Sequence, residues 1–225
     1  MDIKKTIAAD GLETTKALPI TTLFLDIGGV LLTDGWDHNA RKSAAAKFKL
    51  DFTEMEKRHE MTFATYEEDA LTLKEYLNLT VFYEERPFTP DQFREFMFAQ
   101  SKPHIEMIEL IRKLKAKYEL KIIAVSNEAR ELNAHRIQNF KLDEFVDAFV
   151  SSCFVHIRKP DPEIFRLALD VAQTPQEQIV YIENTEMFVN IASDMGIRGI
   201  VHKDYHTTAI QLASWGLDLN ERSQR

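Results

Sequence analysis

Four stretches of this chain each follow a run of apolar residues, or open a helix, and each carries a group able to do chemistry. Asp26 ends Leu23-Phe24-Leu25-Asp26 and is followed by Ile27-Gly28-Gly29. Ser126-Asn127 follows Ile122-Ile123-Ala124-Val125, and Glu183-Asn184 follows Ile179-Val180-Tyr181-Ile182. Lys159 lies in Arg158-Lys159-Pro160-Asp161-Pro162, just before a helical pattern. A carboxylate, a hydroxyl with nearby backbone N–H groups, an ammonium and a second acid suit phosphoryl transfer through an aspartyl-phosphate. The aspartate attacks phosphorus, hydroxyl and amide donors hold the equatorial oxygens, and the lysine balances charge. Two carboxylates, a backbone carbonyl and waters can hold Mg2+, which takes oxygen ligands and keeps several waters. The ion matters because a carboxylate must approach a dianionic phosphate.

Each piece taken alone has a plainer use. Asp26 could cap the turn after its strand, and Ser126-Asn127 or Glu183-Asn184 could cap the helices that follow. Pro160-Asp161-Pro162-Glu163 reads as an ordinary helix start, with Asp161 as N-cap and Pro162 at the first helical position. That accounts for everything there except Lys159. What separates the two readings is placement, because strand ends of an open α/β sheet converge on one ligand-binding rim.

The elements that must carry these groups follow from periodicity. Thr21 to Ile27, Leu120 to Val125, Phe145 to Val155, Gln178 to Ile182 and Ile197 to Val201 read as buried strands. Helical patterns run between them, so the class is α/β with a doubly wound parallel sheet and right-handed crossovers. Val30 to Gly35 reads as an apolar flap ending in an Asp34-Gly35 turn. From Asp37 to about Gln100 no strand is predicted and helical periodicity dominates, with Asp51 and Thr89 or Asp91 as N-caps. The expected division is a core of residues 1–35 and 101–225 and an all-helical insert of residues 36–100. Tyr66, Glu67, Glu68 and Asp69 read as a solvated acidic face of that insert.

Composition narrows the partners. The 225 residues are 44% hydrophobic and carry a formal charge of −8 without a basic block. That excludes a nucleic-acid or anionic-membrane surface built on lysine and arginine clusters, but not a small anionic substrate. No run approaches the ~20 apolar residues that span a bilayer. Cys153 is the single cysteine, so an intrachain disulfide is impossible; its apolar surroundings predict a buried strand thiol. Residues 1 to about 19 read as a mobile arm or a short surface helix, without the apolar core of a signal peptide. A cytoplasmic monomer or homodimer is expected.

These stretches resemble the motifs of the haloacid-dehalogenase-like superfamily, largely phosphatases. Leu25-Asp26-Ile27-Gly28-Gly29-Val30 is similar to the family's strand ending in Asp-x-Asp-Gly-Val, and Val125-Ser126-Asn127 to its second motif. Arg158-Lys159-Pro160-Asp161-Pro162-Glu163 matches the third, and Tyr181-Ile182-Glu183-Asn184 the fourth, followed by Ala192 and Gly196 at familiar spacing. The resemblance implies a Rossmann-like core with a helical cap inserted after the first strand. It implies Asp26 as nucleophile and metal ligand, the Gly28 carbonyl as a second ligand, and Glu183 completing a Mg2+ site. Ser126 and Asn127 would hold the phosphoryl group, and Lys159 would balance charge.

The chain departs from the family pattern twice. Gly28 stands where the family's acid/base aspartate protonates the leaving oxygen, as in relatives resembling sugar-1-phosphate phosphatases. Glu183-Asn184 replaces Asp-Asp. Dehalogenases of the family carry an aromatic residue at the Gly28 place, so dehalogenation is not expected. The expectation is a Mg2+-dependent phosphatase acting on a small phosphorylated metabolite. The alternative is a weakened or inactive phosphate-binding or regulatory protein of the same fold. His38, Arg41 and His59 are candidates in the insert for specificity or for the acid.

Overall fold

The computed structural model describes residues 18–219, so most of the expected N-terminal arm lies outside the described residues. After β1 (Thr22–Leu25) come four helices: α1 (His38–Phe48), α2 (Phe52–Glu67), α3 (Leu73–Thr80) and α4 (Pro90–Phe98). Then follow α5 (Ile105–Tyr118), β2 (Lys121–Ser126), α6 (Arg130–Asn139), β3 (Ala148–Ser151), α7 (Ser152–Val155) and α8 (Glu163–Ala172). The chain closes with β4 (Ile179–Glu183), α9 (Glu186–Asp194), β5 (Arg198–Val201) and α10 (Tyr205–Ser214). All five strands are parallel, in the order β3-β2-β1-β4-β5, which is the Rossmann-like arrangement.

The central strand is fully buried because both faces are covered. Leu23, Leu25 and Ile27 pack with Met107, Ile111 and Leu114 of α5 and Leu212 of α10. Phe24, on the other face, packs with Ile164, Phe165 and Ala168 of α8 and Ala192 of α9. Leu25 is in register with Ala124 of β2 and Ile182 of β4. The Asp26 N–H continues that ladder to the Ile182 carbonyl at 3.0 Å. One residue further along, therefore, Asp26 stands level with Glu183 at the carboxyl rim.

The four helices after β1 share a second apolar cluster. Trp36, Met55, Tyr76, Phe93 and Met97 form it, and Ala129 and Leu132 beside and on α6 join it, so it is seated on the sheet's own layer. Asp51 caps α2 through Glu54 N–H, and Thr89 caps α4 in a reciprocal box with Gln92; Asp91 lies in the first turn instead. Phe93 meets Trp36 edge-on at 5.7 Å and Phe48 at 5.0 Å.

The third strand is shorter than periodicity predicts. Leu142–Glu144 form a 3-10 turn, and Ser152–Val155 turn helical rather than extending β3. Short apolar runs fit either geometry, and side-chain bonds decide this one: Glu128 N–H donates to Ser152 Oγ at 2.9 Å, and Ser152 Oγ donates to the Glu67 carbonyl at 2.8 Å. Cys153 is buried as expected, but on this helical turn, and burial pushes its thiol up to about 12. It is no nucleophile. Among the described residues no helix is long and apolar enough to cross a membrane.

Phe93 is fully enclosed. Phe93→Ala should therefore lower the unfolding free energy by about 3–5 kcal/mol in denaturant titration. A loss below about 1 kcal/mol would contradict this packing.

Candidate active site

Lys159 is a fully enclosed cation at the rim. Its ammonium lies 2.6 Å from Glu183 Oε2, 3.2 Å from Asp26 Oδ1 and 3.1 Å from the Tyr181 hydroxyl. Tyr181 in turn donates to Glu183 Oε2 at 2.5 Å, and Thr185 N–H donates to Oε1 at 2.9 Å. The lysine is brought there by its own main chain. Asn127 Oδ1 accepts from Lys159 N–H at 2.8 Å, and Asn127 Nδ2 donates to the Lys159 carbonyl at 2.9 Å. The Asn127 side chain is thus occupied as a clamp on the lysine loop, and its backbone N–H is the group available to face a ligand.

Asp26 is 8% exposed. One carboxylate oxygen accepts from Ile27 N–H at 2.8 Å. Burial raises its pKa to about 7; Lys159 opposes the rise, and Glu183 adds to it. Two carboxylates share one ammonium here, so the site carries an excess of negative charge that favours a proton or a further cation.

A second buried ion pair lies behind Ser126. Arg136 and Glu128 are in contact through Nη1 and Oε1, both side chains 2% exposed. Arg136 Nε donates to Ser101 Oγ at 3.0 Å, and Nη2 donates to the carbonyls of Asp34 at 2.8 Å and Thr33 at 3.2 Å. One guanidinium thereby ties α6 to the loop that follows β1. Ser126 Oγ lies 3.5 Å from Glu128 Oε1, at the edge of hydrogen-bond range. Nothing in the sequence pointed to this pair, because eight residues and a loop separate its members.

Asp34 was read as a turn residue, and Gly35 at φ +76° bears that out. Its carboxylate has a further position. A Cβ built on Gly28 would lie 3.5 Å from Asp34 Oδ1, with no closer obstruction. Burial raises the Asp34 pKa from its ordinary value, and a hydrogen bond from Asn184 Nδ2 at 3.3 Å opposes that. Gly29 is different: φ is +70°, and a Cβ there would come within 2.0 Å of Asn184 Nδ2, so glycine is required.

Asp26, Ser126 and Lys159 line the floor of a cavity of about 230 Å3, and His59, Phe63 and Glu67 line its wall. Glu67 therefore does not belong to a solvated face; it pairs with Arg158 at 2.8 Å, while Tyr66 is buried and Asp69 pairs with Arg130. Of the three insert candidates, only His59 lines the cavity. Arg41 and His38 both bind Glu56, at 2.6 and 3.0 Å.

Donor chemistry decides whether a divalent cation suits this rim. Among the described residues no three His, Cys, Asp or Glu side chains converge as a cage. Mg2+ needs none, since one or two carboxylates with waters and substrate phosphate commonly hold it. Asp26, the Gly28 carbonyl and the Asn184 amide oxygen are donors of that kind, and the excess negative charge fits a cation. Glu183 Oε2 accepts from Lys159 and Tyr181, and Oε1 accepts from Thr185 N–H alone, which leaves Oε1 a lone pair.

The folded protein holds the Asp26 proton more tightly than the unfolded chain, whose carboxyl titrates near 3.8. This group's contribution to stability is thus present below that value and is lost as pH rises through about 7. In metal-free buffer, Asp26→Asn should match wild type in thermal unfolding near pH ~4 and exceed it near pH ~8. Parallel stability profiles for the two proteins would contradict the raised pKa.

Comparison with known proteins agrees with this geometry. Residues 20–210 match the family model described as haloacid dehalogenase-like hydrolase. The chain is 30% identical over 100 residues to a phosphorylated carbohydrates phosphatase of Thermotoga maritima, covering 43% of this chain and 44% of that protein. It is 29% identical over 66 residues to bifunctional epoxide hydrolase 2 of Sus scrofa, covering 29% of this chain and 12% of that protein. The match thus spans less than half the length of either relative. The fold is similar to that of the HAD family enzyme bt-2542 of Bacteroides thetaiotaomicron, with TM-score 0.71 and 19% identity over 83% of this chain and 95% of that one. A complex of that enzyme with magnesium and inorganic phosphate superposes with TM-score 0.68 at 19% identity, over 82% of this chain and 94% of that one. The chain belongs to the haloacid dehalogenase-like hydrolases.

Proposed function

We propose that this protein is a Mg2+-dependent phosphatase that hydrolyses a small phosphorylated metabolite through an aspartyl-phosphate on Asp26. The observation that carries the reading is the buried Asp26 at a strand end, with Lys159 bridging it to Glu183. Asp26 attacks phosphorus, and the P–O bond to the leaving group breaks. The Ser126 hydroxyl and the Asn127 backbone N–H donate to the phosphoryl oxygens, and Lys159 limits the charge that builds as carboxylate and phosphate meet. Water then hydrolyses the aspartyl-phosphate and frees inorganic phosphate. Mg2+, held by Asp26, the Gly28 carbonyl and neighbouring oxygens, would supply positive charge against the phosphate. Glu183 fixes Lys159 through Oε2, and Oε1, with one donor, keeps a lone pair that could reach the ion. Helices α1 to α4 serve as the cap.

The proton for the leaving oxygen cannot come from Gly28. Asp34 is the carboxyl beside that gap, and its raised pKa favours the protonated form. We assign it the acid/base role. The name of the Thermotoga relative makes sugar phosphates the first esters to test. The competing reading, a phosphate-binding protein without turnover, draws on the absent carboxyl at Gly28.

A screen of sugar phosphates, nucleotides and acyl phosphates with Mg2+ separates the two. Turnover that Asp26→Asn removes supports the phosphatase; phosphate binding without turnover of any ester supports the alternative. Asp34→Asn should cut kcat on alkyl phosphates by about 10²–10⁴-fold. Acyl phosphates, whose leaving group needs little protonation, should lose far less. Equal losses on both classes would remove Asp34 from proton transfer.

A further inference from the structure

The insert delivers one polar ring to the cavity wall, and its orientation is fixed by a short hydrogen-bond chain. His59 of α2 stacks on Phe63, ring centres 5.2 Å apart. His59 Nδ1 lies 2.8 Å from the Tyr76 hydroxyl of α3, and Trp36 Nε1 donates to that same oxygen at 2.9 Å. An indole N–H can only donate. The phenol oxygen is therefore an acceptor toward Trp36, which leaves its own proton available to His59 Nδ1. Tyr76 and Trp36 are 1% and 9% exposed, so the chain is held in the interior. A Tyr76 hydroxyl that donates to Nδ1 goes with a neutral imidazole carrying its proton on Nε2, for which no hydrogen-bond partner is found among the described residues. Burial, and to a lesser degree Arg41, hold the ring down to about 4, while Glu56 opposes them.

The same wall limits what can receive that proton. Asp37 also lines the cavity and would repel a second anionic group, while Glu67 on the same wall is already paired with Arg158 and offers no cation to attract one. The cations that reach it, Lys159 and Arg136, are already paired with Asp26 and Glu183 and with Glu128. Phe63, Met97 and Phe188 offer apolar surface. A volume of about 230 Å3 lies below the 300–1,000 Å3 typical of pockets for larger ligands.

We propose that His59 is a specificity-determining residue whose Nε2–H donates to an uncharged oxygen, a hydroxyl or ring ether, on the organic part of a small monophosphate ester. The substrate class is a polyhydroxylated monophosphate, not a nucleoside di- or triphosphate or an ester bearing a carboxylate. This role deepens the phosphatase reading and rests on it. It is distinct from proton transfer, because a neutral imidazole of such low basicity is a poor general acid near neutral pH.

Two measurements on the full chain test it. In Mg2+ buffer, His59→Phe should reduce the kcat/KM preference for a hexose phosphate over phenyl phosphate about tenfold, the value of one hydrogen bond. The loss should sit in KM, since ground state and transition state share the contact. Tyr76→Phe, which removes the acceptor and donor that orient the ring, should shift the preference the same way by a smaller factor. Equal losses on both esters would make His59 a packing residue and overturn the proposal. Independently of turnover, 15N-histidine NMR of the wild type near neutral pH should show His59 protonated on Nε2 only. A proton on Nδ1, or an imidazolium, would also overturn it. If the wild type hydrolyses neither ester, the phosphatase reading fails and a separate observation decides His59. Adding the hexose phosphate should still move its Nε2–H signal; an unmoved signal would remove the binding role as well.

Discussion

A lysine ammonium enclosed at 1% exposure between two carboxylates is the constraint on which the site depends. Burial alone would push the Lys159 pKa down, but Asp26 and Glu183 outweigh it, so the ammonium stays charged. Several kcal/mol of desolvation per ion make such a group tolerable only with close partners. Those partners come from adjacent strands, because parallel register sets the residues after β1 and at the end of β4 level with each other. Asn127, just past β2, closes the arrangement by gripping the lysine main chain. The strand order therefore has a direct chemical consequence: β1, β2 and β4 are neighbours, and their carboxyl ends hold one charge cluster.

The Arg136–Glu128 pair plays the corresponding part for the loop. Arg136 bonds to the carbonyls of Thr33 and Asp34 and to Ser101, so the loop after β1, the segment before α5 and α6 are tied together, and Asp34 is held beside the space left by Gly28. Burial of the floor raises the pKa of Asp26 against the pull of Lys159, with Glu183 adding to the rise, and two carboxylates on one ammonium favour a cation among these oxygen donors.

Much of this was legible in the residues. Apolar runs marked all five strands, and Asp26, Ser126, Lys159 and Glu183 were placed correctly at one rim by the rule that strand ends converge. Asp51 and Thr89 were readable as caps because N-cap chemistry is local. What escaped was non-local or ambiguous at short range. Arg136 has no sequence signal that distinguishes it from a surface arginine, and Glu67 looked solvated until Arg158 was found beside it. That the Asn127 side chain clamps the Lys159 main chain was not readable either, because its two partners lie 32 residues away. Ser152-Cys153-Phe154-Val155 looked like strand because four apolar or small residues do not reveal a period.

The central claim, that Lys159 and the sheet rim present Asp26 as a nucleophile, is open to one direct measurement. Acid-quenched protein sampled during turnover of a hydrolysed phosphate ester with Mg2+ can be digested and read by mass spectrometry. A phosphoryl group on the peptide containing Asp26, absent from the Asp26→Asn protein, is the result this account predicts. Phosphate release with the phosphoryl group on another residue would contradict it.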